Sequence, residues 1–113
     1  MSTFEDFIDQ VSFNEDGLVP VVAQDSITKD VLMLAWMNEE ALRLSLETGK
    51  GTYFSRSRSR LWVKGEESGN VQHVRDIRRD CDSDALVMTV QQHGPACHTG
   101  SQSCFFNIVV VDQ

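Results

Sequence analysis

The sequence predicts an α+β fold: a sheet-dominated single compact domain with one main helix at about residues 38–49. Three observations carry that expectation. Short runs rich in β-branched and aromatic residues recur along the 113 residues, separated by turn-forming clusters. One segment combines an apolar stripe at helical spacing with a capping residue at each end. The hydrophobic content of 41% supplies one core, and the chain is too short for two.

In chain order, Phe4 to Asp9 can form a short amphipathic helical turn. Leu18 to Gln24 (LVPVVAQ) and Val31 to Trp36 (VLMLAW) read as strands, divided by the polar turn DSITKD. The main helix runs from about Glu39 to Thr48. Asn38 is a suitable N-cap, Glu39 and Glu40 favour the positive end of the helix dipole, and Gly49 suits the stop. Leu42 and Leu46, with Ala41 and Ser45 beside them, make its inward stripe. Thr52 to Ser55 and Leu61 to Lys64 are short strand candidates, and residues 64–70 form a turn-rich loop. Val71 to Arg79 is a weaker strand, because its apolar residues at 71, 74 and 77 also permit a helix. Ala85 to Gln91 and Cys104 to Val111 both read as good strands.

Charge and segment patterning narrow the class. The formal net charge of −7 disfavours nucleic acid and anionic membranes as partners. Yet Arg56, Arg58, Arg60 and Lys64 place four of the ten basic side chains within nine residues, a patch suited to a small anionic ligand. The N-terminus MSTFEDFIDQ lacks the basic and apolar regions of a signal peptide, and no apolar run approaches the roughly 20 residues of a membrane span. A soluble, cytoplasmic protein is the expectation.

Cys81, Cys97 and Cys104, separated by fifteen and six residues, are an odd set and a poor disulfide framework. They are buried thiols, reactive thiols or metal ligands. Three thiolates match a catalytic zinc, which keeps a fourth position open for water. Neither zinc-finger spacing nor the base-deaminase signature is present. Asp80, Asp82 and Asp84 alternate around Cys81. On a flat strand the outer two would lie roughly 13 to 14 Å apart, so one shared cation requires the chain to bend there. The alternative is a solvated acidic turn. Finally, Ser55-Arg56-Ser57-Arg58-Ser59-Arg60, followed by LWVKGEESG, offers the guanidinium, hydroxyl and glycine-backed amide groups that bind phosphate, or else a solvated basic strand. Tyr53, Phe54 and Trp62 read as core aromatics rather than base-stacking ones.

These segments taken together, MLAWMNEEAL, TYFSRSRSRLWVKGEESGN, RRDCDSDAL and GPACHTGSQSCF, resemble the phosphoribosyl-AMP cyclohydrolase family of histidine biosynthesis from about Leu32 to Phe105. The resemblance implies zinc on Cys81, Cys97 and Cys104 in a site shared between the subunits of a homodimer, and magnesium on Asp80, Asp82 and Asp84. It implies one such domain over 1–113, in the monofunctional form. The reaction it implies is hydrolysis of the N1–C6 bond in an adenine nucleotide whose N1 bears a second phosphoribosyl group. That substituent makes the ring cationic and C6 electrophilic. Zinc lowers the pKa of bound water towards neutrality and so provides the nucleophile. His98 is the expected proton-transfer group, ahead of His73 and His93, with a structural role as its alternative. Arg56, Arg58, Arg60 and Lys64, helped by Ser68 and Gly69, are expected at the two phosphates. Two rivals remain: a zinc-stabilised binding module using the Arg-Ser strand, and a nucleotide deaminase with the same metal chemistry.

Overall fold

In the computed structural model, which describes residues 3–112, six strands and two helices follow the order α1 (Phe4–Asp9), β1 (Val19–Asp25), β2 (Val31–Met37), α2 (Glu39–Thr48), β3 (Thr52–Ser55), β4 (Arg60–Val63), β5 (Gln72–Arg79) and β6 (Leu86–Gln92). The architecture is α+β and sheet-dominated, as expected. A four-stranded sheet has the order β2-β1-β6-β5, and β3 and β4 form a separate hairpin. β1 pairs antiparallel with β2 and parallel with β6, and β5 pairs antiparallel with β6. Alternation does the packing. Val19, Val21 and Ala23 of β1 and Leu86, Met88 and Val90 of β6 turn to one face and are buried.

α2, whose Ala41 and Leu42 join the same core, is closed at both ends. Asn38 Oδ1 accepts from Ala41 N at 2.8 Å, and Gly49, at φ 73°, donates to Ser45 O. Ala41, Leu42 and Ser45 are buried, and Ser45 Oγ bonds both the N–H and the carbonyl of Thr52, stitching α2 to β3. α1 has a capping box, with Thr3 and Asp6 bonding each other's main-chain amides. Tyr53 is fully buried against Trp62 and donates to Gln72 Oε1 at 2.6 Å; burial pushes its hydroxyl pKa well up.

One expectation of a strand holds where its pattern was ambiguous, and another fails. β5 is a strand despite its three-residue apolar spacing, because the register shifts between Val74 and Asp76. That bulge inserts one residue, so Val74 and Ile77 can both pack against the core. The expected strand Cys104–Val111 does not form. Cys104 N donates to Leu32 O at 2.7 Å and Ser103 Oγ to Val31 O, after which the chain leaves the sheet edge. β-prone side chains make a strand only where a ladder continues, and among the described residues the main-chain bonding to the β2 edge stops at Cys104.

Candidate active site

The long loop after β6 folds back on itself. Ala96 N donates to Gln102 O and Cys97 N to Ser101 O, both at 3.1 Å, and Gly100 N closes on Cys97 O. The result sets Cys97 and Cys104 near enough for each thiol to shift the other's pKa. The Thr99 hydroxyl, donating to Cys97 Sγ at 3.1 Å, holds that thiol below its ordinary pKa, assisted by the Thr99 amide and the Lys64 charge. Partial burial of its sulfur, and then Cys97, push Cys104 up. Lys64 is held by a bond from its ammonium to the Ala96 carbonyl, which places it at the thiol pair rather than free in solvent.

Cys81 is elsewhere. It is exposed in the turn joining β5 to β6, and its thiol donates to Asp82 Oδ1 at 2.9 Å, which raises its pKa. The turn precedes β6, whereas Cys97 follows it. The seven residues of β6 lie between them along the chain. Among the described residues no three His, Cys, Asp or Glu side chains gather around one point.

The acidic segment does bend. Ser83 adopts φ 62°, Ser83 N donates to Asp80 O, and Asp84 N donates to Asp80 Oδ1 at 3.0 Å. Asp80 crowds Asp84 and raises its pKa, with desolvation and Asp82 adding to the effect. The turn is buttressed from the N-terminal segment. The Arg79 guanidinium bonds Ser83 Oγ and Gln10 Oε1 and stacks over Phe7 at 4.8 Å, while Ser12 N donates to Ser83 O at 2.7 Å. Sequence reasoning missed this support, since its partners lie some seventy positions apart along the chain.

The basic segment divides. Arg58, Arg60 and Ser68 line a cleft of about 430 Å³ with Trp62 and Gly65, and Glu66 and Glu67 at its border temper the positive charge. Arg56 instead lies over the Trp36 ring, 4.6 Å from its centroid, beside a shallower neighbouring hollow. Trp62, expected in the core, is only half-buried and lines both spaces. Gly69 lines neither of them; at φ 85° it donates to Gly65 O and turns the loop. Asn70, not anticipated, joins this loop to the one bearing the thiols. A Cβ on Gly94 would meet Asn70 Oδ1 at 2.3 Å, and Gln92 Nε2 bonds the Asn70 carbonyl. His98 is exposed beside Cys97, while His73 and His93 meet edge to face with centroids 4.8 Å apart.

Residues 33–106 match the family model described as phosphoribosyl-AMP cyclohydrolase. Relatives of that name resemble most of the chain. The Halorhodospira halophila protein is 55% identical over 102 residues, covering 90% of this chain and 72% of its own length. The Burkholderia vietnamiensis protein is 57% identical over 101 residues, covering 88% and 73%. The Cellvibrio japonicus protein is 55% identical over 105 residues, covering 92% and 83%. A family match across more than half of the chain, with identity at this level over nine-tenths of it, means that the chain belongs to the phosphoribosyl-AMP cyclohydrolase family.

Proposed function

We propose that this protein is a cytoplasmic, zinc-dependent hydrolase that breaks the N1–C6 bond of the adenine ring of 1-(5-phosphoribosyl)-AMP, a step of histidine biosynthesis. The observation that carries the reading is the paired Cys97 and Cys104, with Lys64 beside them and an arginine-lined cleft on the neighbouring hairpin. Two adjacent thiols, one held towards its thiolate, fit the soft donor set zinc prefers, and Cys81 of a second subunit is the natural third. When bound, zinc supplies the acidification of water that attack at C6 requires near neutral pH.

The chain's own residues supply the rest. Arg58 and Arg60 bind the phosphates from the cleft, with Ser68 as a hydroxyl donor, and Lys64 lends positive charge between phosphate and thiols. Trp62 walls the cleft and excludes water from one side of the bound nucleotide. His98, exposed and next to Cys97 in the chain, moves the proton that must reach N1 as its bond to C6 breaks. Asp80, Asp82 and Asp84 would hold magnesium: their mutual repulsion suits a divalent cation, although the side chains must first turn towards a common point.

A spectroscopic assay of ring opening, with and without chelator, tests the proposal. Chelation should stop turnover and added zinc restore it, with no ammonia released at any stage. Full turnover by metal-free protein would dismiss the zinc, and ammonia release would make the enzyme a deaminase instead.

A further inference from the structure

After Cys104 the chain carries Phe105-Phe106-Asn107-Ile108-Val109-Val110-Val111 into solvent. Ile108 is 80% exposed, Val109 85% and Val111 92%. So many contiguous apolar side chains left in water are rare on a monomeric surface. Apolar residues on both faces are the composition of a strand that is covered, not one left at an open edge.

The same chain holds a fitting receptor. β5 is an edge of the sheet. Val74 N bonds Gly49 O and His73 bridges Lys50, but from residue 75 to 79 the described main-chain bonds of β5 go to β6 only. Beside that stretch lies an apolar cleft of about 350 Å³, walled by Phe4, Phe7 and Leu46 and floored by Val74 and Ile77.

We propose that residues 105–111 form an arm that adds antiparallel to the 75–79 edge of β5 in a second copy of this chain, seating Phe106, Ile108 and Val110 in that cleft. The inference rests on the shared thiol site proposed above. Cys81 stands just past the C-terminal end of β5, so a partner's Cys104 delivered to it starts the partner's arm at that end. From there the cleft leads back towards Val74. Seven extended residues reach roughly 24 Å, enough to follow the free edge. Asp112 then arrives where Arg75 and Lys50 stand, giving the arm's acidic end a basic terminus. The arm's own β5 is a poor alternative. The arm is rooted on Leu32 of β2, the opposite edge of the sheet, and crossing β1 and β6 would consume about 14 Å of its length.

The test compares intact protein with the double variant Ile108→Asp/Val110→Asp, by analytical ultracentrifugation and amide hydrogen exchange. The arm makes no core contact in its own chain, so the variant keeps its fold, which circular dichroism checks. Intact protein should be a dimer with slowed exchange at residues 75–79. The variant should dissociate at least about 100-fold more readily, at 1.4 kcal/mol per tenfold, and lose that protection. A monomeric intact protein, a variant dimerising as tightly as the original, or unchanged exchange at 75–79 would each overturn the proposal. Turnover of the intact protein separates the two readings. A docked arm without ring opening sinks the reaction alone; ring opening with an undocked arm sinks the arm alone.

Discussion

Arg56 and Arg60 are four residues apart in one basic run, yet they do different work. Arg60 lines the cleft with Ser68, whereas the Arg56 guanidinium lies over the Trp36 ring. Removing a charged hydrogen bond to a phosphate costs on the order of 1.5 to 3 kcal/mol, or tenfold and more in binding. Arg60→Ala should therefore raise KM at least about tenfold with kcat little changed, since phosphate contacts hold substrate and transition state alike. Arg56→Ala should change KM much less. Equal effects in steady-state kinetics would mean that both arginines reach the nucleotide. At this scale the donor types were legible in the sequence: the basic run, the thiols and the acidic turn each announce their chemistry by composition. Which arginine faces the cleft was not, because the choice is made by Trp36, twenty positions earlier on another strand. The Thr99 hydroxyl on Cys97, the Lys64 bond to Ala96 and the Asn70 clasp on Gly94 were hidden for the same reason.

Segments with self-contained signals were read closely, and segments whose structure depends on a distant neighbour were not. α2 carries its caps and its stripe within twelve residues, and its bounds matched. β5 looked ambiguous because a bulge had shifted its apolar period, and Cys104–Val111 has strand composition but no ladder within the chain. The DSITKD turn belongs to the first class. Asp25 Oδ1 accepts from the amides of Ile27 and Thr28, both at 2.9 Å, and those bonds, the Thr28 amide first, hold its pKa below the usual carboxylate value. A depressed folded pKa contributes stability that is complete above the unfolded pKa of about 3.9 and lost as pH falls through the folded one. Asp25→Asn keeps an oxygen acceptor but cannot titrate. Its unfolding free energy, from urea melts between about pH 5 and 2.5, should fall less steeply with acid than that of the original protein. Parallel acid limbs would show that the turn does not feel the charge of Asp25.

For the whole molecule the governing fact is that Cys81 precedes β6 and the other two thiols follow it, without the three gathering in one chain. The radius of gyration, 14.2 Å against about 13 Å for a compact chain of this length, also reflects the arm reaching outwards. A two-fold axis across β6 would set the Cys81 end of one subunit against the Cys97–Cys104 end of the other, and by symmetry would do so twice. Two complete sites would then arise from two chains, neither of which holds one by itself. Subunit complementation tests that arrangement. Cys81→Ala and Cys97→Ala should each be inactive as homodimers, because every site lacks a sulfur. In a mixed dimer, the Cys97→Ala chain still offers Cys81 and the Cys81→Ala chain still offers Cys97 and Cys104, so one of the two sites is whole. Random exchange of an equal mixture makes half the dimers mixed, each with one working site, and activity should recover to about a quarter of the original. Zinc content should rise with it on the same time course as subunit exchange. If all three sulfurs had to come from one chain, no mixture of these variants could regain activity or retain zinc at the catalytic site. A flat baseline after demonstrated exchange would therefore remove the shared site, and with it the starting point from which the arm was placed on β5.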